Sequence, residues 1–374
     1  LKLVFLGPTY PLRGGIARYG TQFLAALQKR HECLGIGFSK LYPAFLFPGH
    51  SELDPAEMPA VMPQTVKLLH YAKWLTWIRA LRMIREFNPD GVLLTWWVTF
   101  WAPHLGWLAR RLKVSHPTIF LCHNVLPHET RFFDPRLTRW ALKPARGFIV
   151  HSEQNRRQLL NWFPQARVLR REHPIYAFNA NPSLGRNEAR KELGVNGRML
   201  LFCGFVRPYK GLDVAIEALA HLGTEYGDLV LWICGEFWED EERYDDLIGN
   251  LKLQHRVRIE SGYLPDEQLA IRIAACDGVI LPYRSATGSG ILANAYALDR
   301  PVIATRTGCF REMVIPGETG VLCEPGDARS LAQAIREFYS GAGPDRFQEG
   351  LARAKIAFSW DGIISAVEEL LHLG

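Results

Sequence analysis

Arg207 and Lys210 stand three residues apart in the segment Leu201-Phe202-Cys203-Gly204-Phe205-Val206-Arg207-Pro208-Tyr209-Lys210-Gly211. The apolar run predicts a strand, Gly204 a turn, and Leu212–Ile216 the opening of a helix. Two cations and a helix N-terminus at the carboxyl end of a strand suit a doubly charged phosphate group. A second cradle of this kind, Thr287-Gly288-Ser289-Gly290, runs directly into a helix predicted over Ile291–Leu298. Two anion cradles in one half of a chain point to a diphosphate, and so to a nucleotide-activated substrate.

Elements able to hold such cradles recur along the whole chain. Strand patterns at 2–6, Cys33–Phe38, Val92–Thr95, Ile119–Cys122 and Gly147–His151 alternate with helical ones at 16–29 and Val66–Glu86. The second half repeats the rhythm, with strands near 199–203, 229–234, 257–260, 278–282 and 301–304. Such βα alternation predicts doubly wound parallel sheets, which bind ligands at their strands' carboxyl ends. The 374 residues suit two domains. Pro and Asn mark a linker over His173–Pro182, followed by a first helix at Asn187–Leu193. Ser359 is a candidate N-cap for a last helix over 362–372, and Ser152 for one after His151.

Composition narrows the class. With 48% hydrophobic and 22% charged residues the chain reads as a soluble globular protein, and its apolar runs are too short to span a bilayer. Leu1–Gly7 reads as a strand ending in a turn rather than as a signal peptide. Seven scattered cysteines without a C-x-x-C pair fit a reducing cytoplasm and argue against zinc. No D-x-D occurs, and Glu239–Glu242 with Asp245-Asp246 reads as a solvated acidic face, so no metal site is expected. Gly14-Gly15, before the first helix, lets backbone approach a ligand, or simply makes a tight turn. It is not a G-x-G-x-x-G fingerprint, which weighs against a dehydrogenase.

Gly14-Gly15, the Arg207/Lys210 pair, Gly235-Glu236, Gly262-Tyr263-Leu264-Pro265, the Ser289-Gly290 helix start, Arg300-Pro301-Val302-Ile303-Ala304 and Gly317-Glu318-Thr319-Gly320 occur in that order. Together they resemble the retaining glycosyltransferases of the GT-B fold, in family four, over nearly the whole chain and most specifically in its second half. The resemblance implies an α/β protein of two Rossmann-like domains with parallel sheets facing across a cleft. Residues 1–175 would form the acceptor domain, 183–358 the donor domain, and helix 360–374 would pack back on the first. It further implies a nucleotide-diphosphate sugar as co-substrate, with no separate cofactor. Arg207 and Lys210 would stabilise the departing diphosphate, with Gly204, Gly290 and Ile291 giving the phosphates close backbone approach. Tyr263 and Leu264 would seat the base, and His123 would orient the sugar, although a histidine after a strand is also commonly structural. His128 and Glu129 would face the acceptor, although helix capping explains Glu129 as well. Glu236 either lines the cleft or is an exposed loop carboxylate.

The chain departs from that family at its paired glutamates, whose positions hold Ala286 and Asn294. Asn294 can hydrogen-bond a ribose but carries no charge; Thr287, Ser289 or Ser285 could stand in for the missing sugar contact. A catalytically degenerate relative that binds a nucleotide sugar or glycan therefore remains an alternative to a turning-over enzyme.

The N-terminal half adds a separate signal. Through His173 there are 24 Lys/Arg against 10 Asp/Glu, whereas the remainder carries 20 against 28. On the helix expected over 66–86, Lys67, Arg82 and Arg85 share an arc with Tyr71, Trp74 and Ile78, while Leu69, Ala72, Thr76, Ala80 and Met83 face the domain. A basic face interleaved with aromatics suits an anionic membrane surface; the alternative is packing beneath the Pro/Phe-rich segment 42–64. A glycan or lipid-linked acceptor, a peripheral place on the inner face of the membrane, and no nucleic acid are the expected partners and location.

Overall fold

The computed structural model describes residues 1–43, 53, 63–127, 130–175, 185–286 and 288–372. The chain divides into two units, Leu1–Pro174 with Trp360–Gly374, and Ile175–Ser359.

The first unit holds strands β1 (Lys2–Leu6), β2 (Glu32–Lys40), β3 (Thr65–His70), β4 (Gly91–Trp96), β5 (Thr118–Cys122), β6 (Gly147–Val150) and β7 (Arg167–Arg170). Its helices are α1 (Gly15–Gln28), α2 (Trp74–Phe87), α3 (Ala102–Leu112), α4 (Asp134–Leu142) and α5 (Glu153–Trp162). The strands form one parallel sheet in the order β3-β2-β1-β4-β5-β6-β7. β4 and β5 are buried along their whole length, as strands covered by helices on both faces must be. Ser152 caps α5 by accepting the Asn155 N–H at 3.3 Å.

The second unit holds α6 (Arg186–Leu193), β8 (Met199–Cys203), α7 (Leu212–Ala220), β9 (Val230–Gly235), α8 (Glu242–Asn250), β10 (Val257–Ser261) and α9 (Asp266–Ala275). It continues through β11 (Gly278–Leu281), α10 (Gly290–Ala297), β12 (Val302–Thr305), α11 (Phe310–Met313), β13 (Gly320–Cys323), α12 (Ala328–Tyr339) and α13 (Gln348–Ala357). Its parallel sheet runs β10-β9-β8-β11-β12-β13, so the chain reverses its direction of winding between β8 and β11. That switch point opens a crevice at the carboxyl ends of β8 and β11.

The last helix, α14 (Trp360–His372), returns to the first unit. Ile363, Ile364, Ala366, Val367 and Leu370 form its buried stripe. Leu371 and Leu370 lie over Gly91 and Gly147, where a Cβ would come 2.5 Å and 2.8 Å from their methyl carbons. Arg30 pairs with Glu368 at 3.2 Å and Arg171 with Glu369 at 3.1 Å.

The single helix expected over Val66–Glu86 is two elements. Thr65–His70 pairs with β2 as the edge strand β3, and the helix begins only at Trp74. β-branched Thr65 and Val66 suit a strand, and the edge position tolerates the exposed Lys67. The buried face of α2 is accordingly Trp77, Ala80, Leu81 and Ile84, and Lys67 and Tyr71 are not on the helix. Segment 42–64 lies outside the described residues except for Tyr42, Pro43, Leu53, Pro63 and Gln64.

Candidate active site

In the second unit the switch point gathers the predicted phosphate ligands. Gly204 has φ +98°, a left-handed conformation that favours glycine. A Cβ there would meet Lys210 Nζ at 3.1 Å and Ile291 Cδ1 at 3.4 Å, so the end of β8, the turn Pro208–Lys210 and the first turn of α10 converge on one point. Lys210 is only 7% exposed. Burial brings its pKa down to about 8, with the Cys203 thiol opposing and the nearby Arg207 assisting. Among the described residues no carboxylate acts on this ammonium. A buried cation without a counter-charge is costly and favours an anionic ligand.

Arg207 is half-buried, its guanidinium 5.3 Å from the Trp238 ring centre and 5.9 Å from that of Tyr209. Trp238 is itself held: its ring packs 4.5 Å from Phe205 and its Nε1 donates to Glu236 at 3.3 Å. Glu236, left open between cleft and solvent by the sequence, is 9% exposed and engaged in this bond. Ser289 caps α10, its hydroxyl accepting the Leu292 N–H at 3.2 Å. The first-turn N–H groups at Gly290 and Ile291 have no intrahelical acceptor and remain for a ligand.

Sequence reasoning missed Tyr283. It follows β11, is buried, and its ring centre lies 5.5 Å from Lys210 Nζ. Burial pushes its hydroxyl well above the ordinary tyrosine range, while a hydrogen bond with Ser289 opposes this, so it stays a neutral hydrogen-bonding group. Its signal was present: a tyrosine just beyond a strand that flanks the switch point.

Tyr263 and Leu264 follow β10, two strands from β8 in the sheet, and Leu264 packs on the core. Asn294 sits one turn beyond Gly290 in α10, 1% exposed, with its Oδ1 lacking a hydrogen-bond partner among the described residues. Ala286 is 3% exposed, and its carbonyl accepts the Cys309 N–H at 3.0 Å, which braces this loop against Gly308. Thr287, His128 and Glu129 lie outside the described residues. The acidic run is not wholly solvated: Glu239 accepts from the Tyr244 hydroxyl at 2.7 Å and pairs with Arg243 at 2.9 Å.

The loops that carry the cluster tolerate no side chain at Gly235. A Cβ there would sit 1.9 Å from the Gly204 carbonyl oxygen. Gly235→Ala should therefore separate the β8 and β9 loops and cost about 2–4 kcal/mol. The midpoint of urea denaturation checks this; a change below about 0.5 kcal/mol would contradict it.

In the first unit, Gly14 (φ +104°) is the N-cap of α1 and Gly15 its first residue, and among the described residues beyond their chain neighbours no group lies within 4 Å of where either Cβ would be. Backbone is thus presented to open space. His123, at the end of β5, is 7% exposed and enclosed by aromatic rings. Tyr19 packs edge-on at 4.5 Å, His151 lies at 5.6 Å and His173 at 6.5 Å, and Trp360 meets Tyr19 edge-to-face at 4.9 Å. Burial first, then the neighbouring His151 and His173, holds the His123 pKa well below the usual imidazole range. The ring is neutral, and among the described residues its Nε2 has no hydrogen-bond partner. A neutral imidazole with one uncommitted nitrogen can orient a hydroxyl group. Among the described residues no group of three His, Cys, Asp or Glu is placed to hold a metal.

Comparison with known proteins adds the family. The model for Glycosyltransferase Family 4 matches residues 13–171, and that for Glycosyl transferases group 1 matches residues 185–350. The D-inositol 3-phosphate glycosyltransferase of Corynebacterium diphtheriae is 28% identical over 200 residues, covering 50% of this chain and 46% of that protein. The phosphatidyl-myo-inositol mannosyltransferase of Mycobacterium leprae is 29% identical over 273 residues, covering 62% of this chain and 69% of that protein. The chain thus spans about half the length of several curated relatives it matches. Among solved structures, Anabaena Alr3699/HepE in complex with UDP superposes with a TM-score of 0.73 at 20% identity, over 99% of both chains. Its fold is that of the GT-B glycosyltransferases, two Rossmann-like α/β domains each built on a parallel sheet. One family model on each sheet and the same fold over the full length place this chain in the group 1, family 4 glycosyltransferases.

Proposed function

We propose that the protein transfers a glycosyl group, with retention at the anomeric carbon, from a nucleoside-diphosphate sugar to a glycan or lipid-linked acceptor. The observation that carries this reading is Lys210: a buried ammonium, with no carboxylate acting on it among the described residues, set against Gly204 and the start of α10. Arg207 and Lys210 would neutralise the departing diphosphate, and the α10 N-terminus would supply N–H donors, so that no metal is required for leaving-group stabilisation. His123 would fix a sugar hydroxyl through Nε2. Alr3699/HepE, which shares the fold, has been solved with UDP and with UDP-glucose, which supports a nucleotide-sugar donor. A peripheral position at the cytoplasmic face of a membrane suits such an acceptor; no helix among the described residues is long and apolar enough to cross one.

Ala286 and Asn294, whose Oδ1 has no hydrogen-bond partner among the described residues, favour a second reading, a relative that binds donor without turnover. Release of free nucleotide from a panel of sugar nucleotides, with and without a chelator, separates the two. Release unaffected by chelation is expected; binding without release across the panel would select the second reading. Because the free Lys210 ammonium titrates near 8, nucleotide affinity should fall as pH rises above that value.

A further inference from the structure

We infer that the outer face of α2, α3 and α4 is a docking surface for an anionic lipid bilayer. Exposed apolar groups concentrate there: Trp74, Leu75 and Ile78 of α2 are 40%, 79% and 41% exposed, and Leu137 and Trp140 of α4 are 38% and 43% exposed. They form one surface. The Trp74 ring lies 4.9 Å from that of Trp107 on α3, and Trp140 covers Gly106, where a Cβ would come 2.5 Å from its ring.

Unpaired positive charge is laid over the same surface. The three helices carry seven arginines against Glu86 and the buried Asp134. Among the described residues none of those arginines forms an ion pair. Arginines elsewhere on this unit do: Arg30 with Glu368, Arg156 and Arg157 with Glu153, Arg171 with Glu369. The Arg110 guanidinium instead lies 3.9 Å over the Trp140 ring. An open groove of about 410 Å³ on α2 is lined by Ile78, Leu81, Arg82, Arg85 and Glu86, two apolar and two cationic side chains beside one carboxylate. A lipid phosphate fits Arg82 and Arg85, with acyl chain against Ile78 and Leu81.

Charge complementarity and apolar exposure together select the bilayer. Nucleic acid would account for the arginines but not for Leu75 and Ile78; tryptophan, leucine and arginine interleaved on amphipathic helices match the headgroup–acyl boundary. The inference rests on the proposed lipid-linked acceptor only for its purpose, since docking itself needs neither donor nor acceptor.

The test is flotation of the full chain with vesicles of phosphatidylcholine alone or mixed with phosphatidylglycerol. Binding is expected only to the mixed vesicles and should weaken as salt rises. Arg82→Glu with Arg136→Glu should reduce binding about 30-fold or more, at about tenfold or less per removed charge and more for reversal. Arg329→Glu with Lys191→Glu, a matched charge change on the other unit, should leave binding within about threefold. Trp74→Ala with Leu75→Ala should weaken binding without changing its salt dependence. Equal flotation with neutral vesicles, an unaffected Arg82/Arg136 variant, or preferential binding of duplex nucleic acid would overturn the inference. Nucleotide release by the same variants in solution reports on transfer separately, so loss of docking and loss of catalysis are distinguishable.

Discussion

Lys210→Met is expected to lower donor turnover, read as kcat/KM for nucleotide release, by about 10²–10³-fold, the usual effect of removing one group aimed at developing negative charge. The same substitution should raise the melting temperature of the ligand-free protein by a few degrees. Both effects follow from one fact. Burial lowers the Lys210 pKa from 10.5 to about 8, which at about 1.4 kcal/mol per unit is a penalty on the order of 3 kcal/mol against the charged form. Methionine fills the same space beside Gly204 and Ile291 without that charge, so stability is gained where function is lost. Nucleoside diphosphate, which stabilises the parent protein by mass action, should then shift the variant's melting temperature far less. Lys210→Arg is not expected to restore turnover, because Nζ already lies 3.1 Å from the position of a Gly204 Cβ and the guanidinium is larger. Turnover of Lys210→Met within about threefold of the parent protein, or a lowered melting temperature, would remove Lys210 from the role assigned to it.

What the sequence disclosed about this site was its backbone framework. Gly204, Lys210, Ser289 and Gly290 lie at strand ends and helix starts, where short-range pattern is strongest, and the structure brings Gly204, Lys210 and Ile291 within contact. Tyr283 escaped notice because its meaning depends on β8 and β11 being neighbours, a pairing between residues nearly eighty positions apart that no local pattern encodes. β3 escaped for a related reason. As an edge strand, with Val66 and Lys67 exposed and only Leu69 fully buried, it lacks the apolar run of a central strand and merges with the helix that follows. β7 and β13, four residues each and both at sheet edges, fall below the length at which periodicity is readable. Histidine showed the same limit in chemical form. His123 was visible as a lone strand-end residue; that His151, His173, Tyr19 and Trp360 enclose it follows only from the third dimension.

That enclosure has a large consequence for acid stability. In the native chain burial brings His151 to a pKa of about 4 and His173 to about 3, and His123 also well below its ordinary value. His151 Nδ1 lies 3.0 Å from the Arg171 carbonyl and His173 Nδ1 3.1 Å from that of Pro174, so in each ring the Nδ1–H donates and Nε2 is the basic nitrogen. His151 Nε2 has no partner to share a proton with. In the unfolded chain all three titrate near 6.5. Above that pH neither state binds these protons, and the stability of the fold is undiminished. As pH falls from about 6.5 towards 4 the unfolded chain takes up protons on these three imidazoles that the native chain does not, and stability drops by roughly 4 kcal/mol per pH unit from the three at full slope, with His31 and His104, whose pKa burial also lowers, acting in the same direction. Asp213, drawn below the ordinary carboxylate range by Arg284 against the effect of burial, contributes only at lower pH and in the other unit. Urea unfolding followed between pH 7.5 and 5 should therefore show a steep loss of the first unit. His173→Gln, which keeps a polar side chain of similar size, should flatten the slope by up to about 1.4 kcal/mol per pH unit, the share of one imidazole. A midpoint independent of pH over that range would mean that these imidazoles are solvated, and would leave His123 without the dry, neutral setting on which its role with a sugar hydroxyl depends.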